Sequence, residues 1–152
     1  MTAHIEELVP AAGGEEFGRV YAEVQQFYAE HFHLLDSGQA EAWAATFAED
    51  ATFEVPTQPK PTQGRAQLTT VMRRTAQELA EAGEVRRHWH GMVAVHPQDD
   101  GSLHVRCYAL VFASKKGGSS QLHRVCVCAD VLVRENGKLL VQTRKVSRDD
   151  LP

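Results

Sequence analysis

Apolar positions along the first half of the chain recur mostly at helical spacing, and those of the second half at strand spacing. Phe17, Val20, Tyr21, Val24, Phe27, Tyr28, Phe32 and Leu35 follow one another mainly in steps of three and four, which puts them on one face of a long helix starting at Glu15. Ser37-Gly38 is a stop signal for it. Ala40, Trp43, Ala44 and Phe47 predict a short second helix, and Ala51 to Val55 a strand that ends at Pro56. The stretch from Pro56 to Gly64 has prolines at 56, 59 and 61 and reads as loop. A third helix is expected from Arg65 to Ala82, with Leu68, Val71, Met72, Thr75 and Leu79 inward and Gly83 closing it.

Four long strands then follow: Val85 to His96, Leu103 to Ser114, Gln121 to Arg134 and Lys138 to Val146. Polar, glycine-bearing turns separate them, the strongest being Asn136-Gly137. Helices first and a strand meander afterwards predict an α+β domain over residues 15–152, with N-terminal helices packed in a curved antiparallel sheet and a small-molecule cavity between the layers. Residues 1–14, ending in Gly13-Gly14, are expected to be a flexible arm.

Composition narrows the class. A chain of 152 residues, 43% hydrophobic and 24% charged, can bury a core unaided. Its net charge of −4, without any run of like charge, is wrong for a nucleic-acid surface. The N-terminus lacks the basic and apolar segments of a signal peptide, and no apolar run reaches the roughly 18 residues of a membrane span. With an odd number of cysteines (Cys107, Cys126, Cys128), reduced thiols and a cytoplasmic location are expected.

Several runs resemble the nuclear-transport-factor-2-like superfamily: Phe27-Tyr28, Leu34-Leu35-Asp36, Trp43 through Phe47 and Asp50 to Phe53, Arg87-His88-Trp89-His90-Gly91, and the ending that contains Asp130, Asn136-Gly137-Lys138 and Arg144. The resemblance covers about Tyr21 to Leu151 and implies a cone-shaped α+β barrel. Within it, the runs Val24 to Tyr28, Arg86 to Gly91 and Arg148 to Leu151 are similar to SnoaL-like cyclases and dehydratases of aromatic polyketide pathways, pyran-ring-forming members included. Scytalone dehydratase is a second similar branch, whose helix aspartate and strand histidine would fall on Asp36 and His88. The β subunit of aromatic-ring dioxygenases is a third; it carries a similar pattern and is mainly structural, so the same residues are compatible with a non-catalytic subunit or a ligand-binding protein.

The residues themselves suggest proton-transfer chemistry. Asp36 shares a helix face with Tyr28 and Phe32, and at a cavity it could orient a histidine or accept a proton; otherwise it caps a turn or the next helix. His88 and His90 share one strand face, about 6–7 Å apart. His88 is the expected general acid or base, while His90 is read as a hydrogen-bonded polar residue of the pocket wall. A His-x-His pair also permits a metal, completed by His123, Cys126 or Asp36, but no recognised ligand spacing is present and none is expected. Cys126 and Cys128 share a strand face and read as buried thiols.

Tyr108, alternating with Leu110, Phe112 and Ser114, could offer a hydroxyl to an enolate oxygen, or be an aromatic core residue; Tyr28 could serve in the same way from the helix. Phe32, Trp43, Phe47, Phe53, Met72 and Phe112 are expected as pocket wall, suited to a flat polycyclic substrate. No phosphate loop, dinucleotide fingerprint or nucleophile elbow occurs, so the expected reaction needs no cofactor. Trp89 and the outward valines Val93, Val95, Val125 and Val127 are expected to pack against a second copy in a homodimer.

Overall fold

The computed structural model describes residues 14–152, so the expected N-terminal arm lies outside the described residues except for Gly14, which already begins a helix. Three helices and six strands follow in the order α1 (Gly14–Asp36), α2 (Ala40–Ala44), β1 (Phe47–Glu54), β2 (Thr62–Gln63), α3 (Gly64–Ala82), β3 (Glu84–Pro97), β4 (Leu103–Lys115), β5 (Ser120–Glu135) and β6 (Lys138–Arg148). The strands form one sheet in the order β2-β1-β6-β5-β4-β3. None of the described helices is long and apolar enough to cross a membrane.

The hairpins β3-β4, β4-β5 and β5-β6 are antiparallel, as a meander requires. The last turn has Asn136 at φ 53° and Gly137 at φ 77°, the two positive values that a tight hairpin needs. The sheet is nevertheless mixed, not wholly antiparallel, because β1 lies parallel to β6 with Phe53 opposite Arg144. The expected boundary between α2 and β1 also shifts. Phe47 is the first residue of the strand, and the Thr46 carbonyl just before it accepts the Val141 N–H at 3.0 Å. A strand whose partner lies some ninety residues ahead has no local signal to mark its start.

Two one-residue bulges decide which side chains face inward. In β3, Gly91 pairs with Tyr108 and Ala94 with Arg106, so β3 carries one residue more than β4 across that step. Met92, at φ 51° and 78% exposed, sits in this irregularity. His88 and His90 therefore face the interior before the bulge, and Val93 and Val95 face it after. Val93 and Val95 are buried, which corrects their expected place on the outer surface. In β6, Val131 pairs with Thr143 and Leu132 with Val141, leaving Gln142 extra. Val141 and Arg144, three residues apart, both end up inside.

The core lies between the concave sheet face and the helices. Val24, Tyr28 and Phe32 of α1 meet Trp43 and Ala44 of α2, Phe47 and Ala51 of β1, Leu68 of α3 and the inward residues of β3 to β6. Burying side chains of this size contributes roughly 1.5–3 kcal/mol each. Gly83 closes α3 in the left-handed conformation at φ 64°, and its carbonyl accepts the Lys116 N–H from the β4-β5 turn.

Phe47, expected in the pocket wall, is fully buried in this core instead. Phe47→Ala should therefore cost about 3–5 kcal/mol in urea unfolding; a loss below about 1 kcal/mol would place its ring in open space.

Candidate active site

Between α3, the end of α1 and the open face of the sheet lies a cavity of about 650 Å³. Phe32, Trp43, Phe53 and Met72 line it, together with Asp36, His88 and His90. Its lining also includes Arg86, Lys116, Arg124, Cys126, Cys128 and Arg144.

Besides Phe47, three expected site residues are not on this wall. Tyr108 and Phe112 lie on the opposite face of β4 from the buried Val105, Cys107, Ala109 and Val111, and Tyr108 is 50% exposed. The strand alternates strictly, and the inward face is the one that looks less aromatic in sequence. Tyr28 is inward but lies beneath the cavity, where its hydroxyl donates to Asp130 Oδ2 at 2.8 Å. Burial first, and the Asp130 charge second, push its phenol well up, so it stays protonated.

Asp36 and His88 do meet. His88 Nδ1–H donates to Asp36 Oδ1 at 2.6 Å, and the His88 backbone N–H donates to Oδ2 at 3.0 Å. Both carboxylate oxygens thus hold one residue, and the side chain of Asp36 is nearly buried at 7% exposure. The turn after α1 does not use Asp36, because Ser37 Oγ donates to the His33 and Leu34 carbonyls instead. With Nδ1 engaged, Nε2 is the nitrogen of His88 free for chemistry. The ring is steadied by the stacked Phe32, whose centroid is 5.8 Å away.

His90, two residues on, has a different environment. Its Nδ1 lies 3.2 Å from Cys107 Sγ, and its ring stacks on Phe32 at 3.7 Å and on Tyr28 at 5.7 Å. Burial, then the charges of Arg144 and His88, push its pKa down to about 2. It is a neutral wall residue and no proton carrier near neutral pH.

Beneath these groups lies a buried network that the sequence pattern had not singled out as a site. Arg144 Nε donates to both oxygens of Asp130 at 2.9 and 3.2 Å, and Nη2 donates to Oδ2 at 2.8 Å. Arg144 Nη1 donates to His31 Nε2 at 2.9 Å, and His31 Nδ1 lies 2.6 Å from Thr46 Oγ1. Burial and the adjacent Arg144 charge hold His31 well below the usual imidazole range, which keeps it neutral. The available signal was a histidine on the otherwise apolar face of α1, together with Asp130 and Arg144 at inward positions of neighbouring strands.

The metal ligands considered from sequence do not assemble. Asp36 and His88 bond each other, and His123 is exposed. The potential ligand cluster among the described residues is instead His90, Cys107 and Cys128, with ligand atoms within 4.8 Å of one another. A hydrogen bond with Cys107 and then burial push the Cys128 thiol up, so the thiolate a metal would need is disfavoured.

The sequence matches the SnoaL-like domain family over residues 19–145. The chain belongs to the SnoaL-like family. Several solved structures share both its fold and its sequence. ActVI-ORFA from Streptomyces coelicolor is 31% identical with a TM-score of 0.82, over 89% of this chain and 98% of that one. Aln2 from a Streptomyces species is 32% identical with a TM-score of 0.81, over 87% and 92%. A protein from Catenulispora acidiphila, solved in complex with S-DNPA, is 34% identical with a TM-score of 0.75, over 88% and 96%. A Novosphingobium aromaticivorans protein named as a dioxygenase β subunit is 17% identical with a TM-score of 0.70, a likeness of fold alone. No curated protein matches the sequence.

The neutral histidines His31 and His90 tie stability of this SnoaL-like domain to pH. Their folded pKa values lie below the unfolded value of about 6.5, so below that pH the unfolded chain binds protons that the fold refuses. The contribution of each is complete above about pH 6.5 and is lost as pH falls towards the folded value. Between about pH 7.5 and 5.5 each should cost about 1.4 kcal/mol of stability. Urea unfolding at the two pH values measures this, and His90→Gln should remove its share of the difference; an unchanged difference would contradict a neutral His90.

Proposed function

We propose that this protein is a cofactor-independent cyclase or dehydratase, acting by acid–base chemistry on an aromatic polyketide intermediate, with pyran-ring formation as one candidate reaction. The observation that carries this reading is the His88–Asp36 pair set in a cavity walled by Phe32, Trp43, Phe53 and Met72. Membership of the SnoaL-like family supports it, as does a relative solved with a ligand bound. The alternative of a structural dioxygenase-type subunit has only likeness of fold behind it.

The chemistry follows from the tautomer. Asp36 accepts the Nδ1 proton, which leaves a lone pair on Nε2. In a dehydration, Nε2 removes a proton next to the substrate carbonyl; the imidazolium, steadied by Asp36, returns it to the departing hydroxyl, and water leaves. In a ring closure, Nε2 takes the proton of a hydroxyl group whose oxygen adds to a conjugated double bond, and the same proton then goes to the resulting enolate carbon. Both sequences balance without an external oxidant or reductant.

A cytoplasmic setting fits the three cysteines, all free and buried. A homodimer fits the outer sheet face, where Trp89 is 67%, Tyr108 50%, Leu122 53% and Met92 78% exposed. Trp89 stands opposite Leu110, which stands opposite Val125, so these apolar residues form one cross-strand row. Trp89→Asp should convert a dimer to monomers in light scattering while leaving the circular dichroism unchanged; a wild-type monomer would refute the assembly.

His88→Ala should lower kcat by about 10²–10⁴-fold on bicyclic or tricyclic hydroxyketones, with an unaltered melting profile. Conversion at the wild-type rate would exclude the acid–base role.

A further inference from the structure

Removing a proton beside a carbonyl, or adding an oxygen to a conjugated ketone, builds negative charge on the carbonyl oxygen. That oxygen needs hydrogen-bond donors fixed in advance. The tyrosines first considered for this do not supply them. Tyr108 is outside the cavity, and the Tyr28 hydroxyl is committed to Asp130. The free nitrogen of His88 is occupied with the travelling proton.

Among the buried side chains on the cavity wall, two have donors to spare. A guanidinium has five N–H groups. Arg144 commits Nε–H and one Nη2–H to Asp130, and one Nη1–H to His31, which leaves one N–H on each terminal nitrogen without a hydrogen-bond partner among the described residues. Trp43 is only 4% exposed, yet its indole Nε1–H has no hydrogen-bond partner among the described residues. Buried donors are almost always paired, so the unpaired indole N–H of a residue that lines the cavity points to a ligand acceptor. The two residues are neighbours around His31. Its ring is 5.8 Å from that of Trp43, and its Nε2 accepts from Arg144. The guanidinium carbon lies 5.4 Å from the ring centre of Phe32 and 5.7 Å from that of Phe53, so a flat aromatic ring carrying the oxygen has apolar surfaces to rest on.

We propose that Arg144 and Trp43 form the subsite that holds the charge-bearing oxygen of the substrate, as an aryl-oxide or enolate. Asp130 and His31 keep the guanidinium in place, and the indole supplies a second direction of approach. The reading of the protein as an acid–base enzyme makes that oxygen an enolate; binding at the subsite itself needs no turnover.

The test uses 1-naphthol, whose neutral and ionised forms differ in absorbance and fluorescence. An apolar cavity alone would raise the pH at which bound naphthol ionises, because burial disfavours the anion. The subsite should instead lower it by about one pH unit or more, a tenfold preference for the anion. Trp43→Phe keeps a ring in place and removes only the N–H together with the second ring, so it should fold. It should weaken naphtholate binding about tenfold while neutral naphthalene binds as before. Arg144→Lys keeps the charge and loses the fork, and should abolish the downward shift. His88→Gln should retain the shift. An ionisation point unchanged or raised on the wild type would overturn the proposal, as would a Trp43→Phe variant that binds naphtholate normally. A shift that disappears in His88→Gln would move the oxygen to the imidazole and overturn the subsite while sparing the His88–Asp36 reading. Loss of turnover in His88→Ala alongside an intact shift would support the two assignments separately.

Discussion

A charge with almost no access to water governs the interior of this protein. Arg144 is 3% exposed, and its ion pair with Asp130 can persist only if the guanidinium is held in good geometry and the remaining polar atoms are met. The fold arranges this from distant parts of the chain. α1 contributes Tyr28 to Asp130 and His31 to Arg144, β5 and β6 contribute the pair itself, and Thr46 at the start of β1 receives the far side of His31. Phe32, Phe47 and Phe53 close around the guanidinium. Losing one partner of such a pair typically costs about 3–5 kcal/mol, because the other is left charged and dry. The network therefore fixes how α1 sits on the sheet, and α1 in turn carries Asp36 to His88.

Their surroundings separate two histidines that the sequence presents as equals. His88 and His90 share one face of β3, but His88 meets a carboxylate at the end of α1, whereas His90 meets a thiol and the faces of Phe32 and Tyr28. Withdrawn from water, and secondarily near a positive guanidinium, His90 stays neutral. One imidazole is paired with a carboxylate and keeps Nε2 free of it, and the other is packed into the cavity wall.

Much of this was legible in sequence because local spacing encodes it. The three helices, the four long strands, their turns and the meeting of Asp36 with His88 follow from periodicity and from the resemblance to a known superfamily. Phe32, Trp43, Phe53 and Met72 were placed on the cavity wall for the same reasons. What was missed depends on phase or on distance along the chain. Tyr108 and Phe112 were assigned inward because aromatic residues suggest a pocket, yet Cys107, Ala109 and Val111 fill that face. Val93 and Val95 changed sides at a bulge with no clear signature. The parallel pairing of β1 with β6, and the Asp130–Arg144–His31 network, join residues from 14 to 113 positions apart, which no local pattern can pair.

The bulge at Met92 has a consequence for how such a strand can change over evolution. One extra residue resets the alternation midway along β3, so the segment through His90 and the segment from Val93 are independently phased. The first can exchange its chemistry while the second keeps filling the core, and the left-handed residue between them isolates one from the other. A single strand is thereby built as two segments in series, one phased to the cavity and one phased to the core.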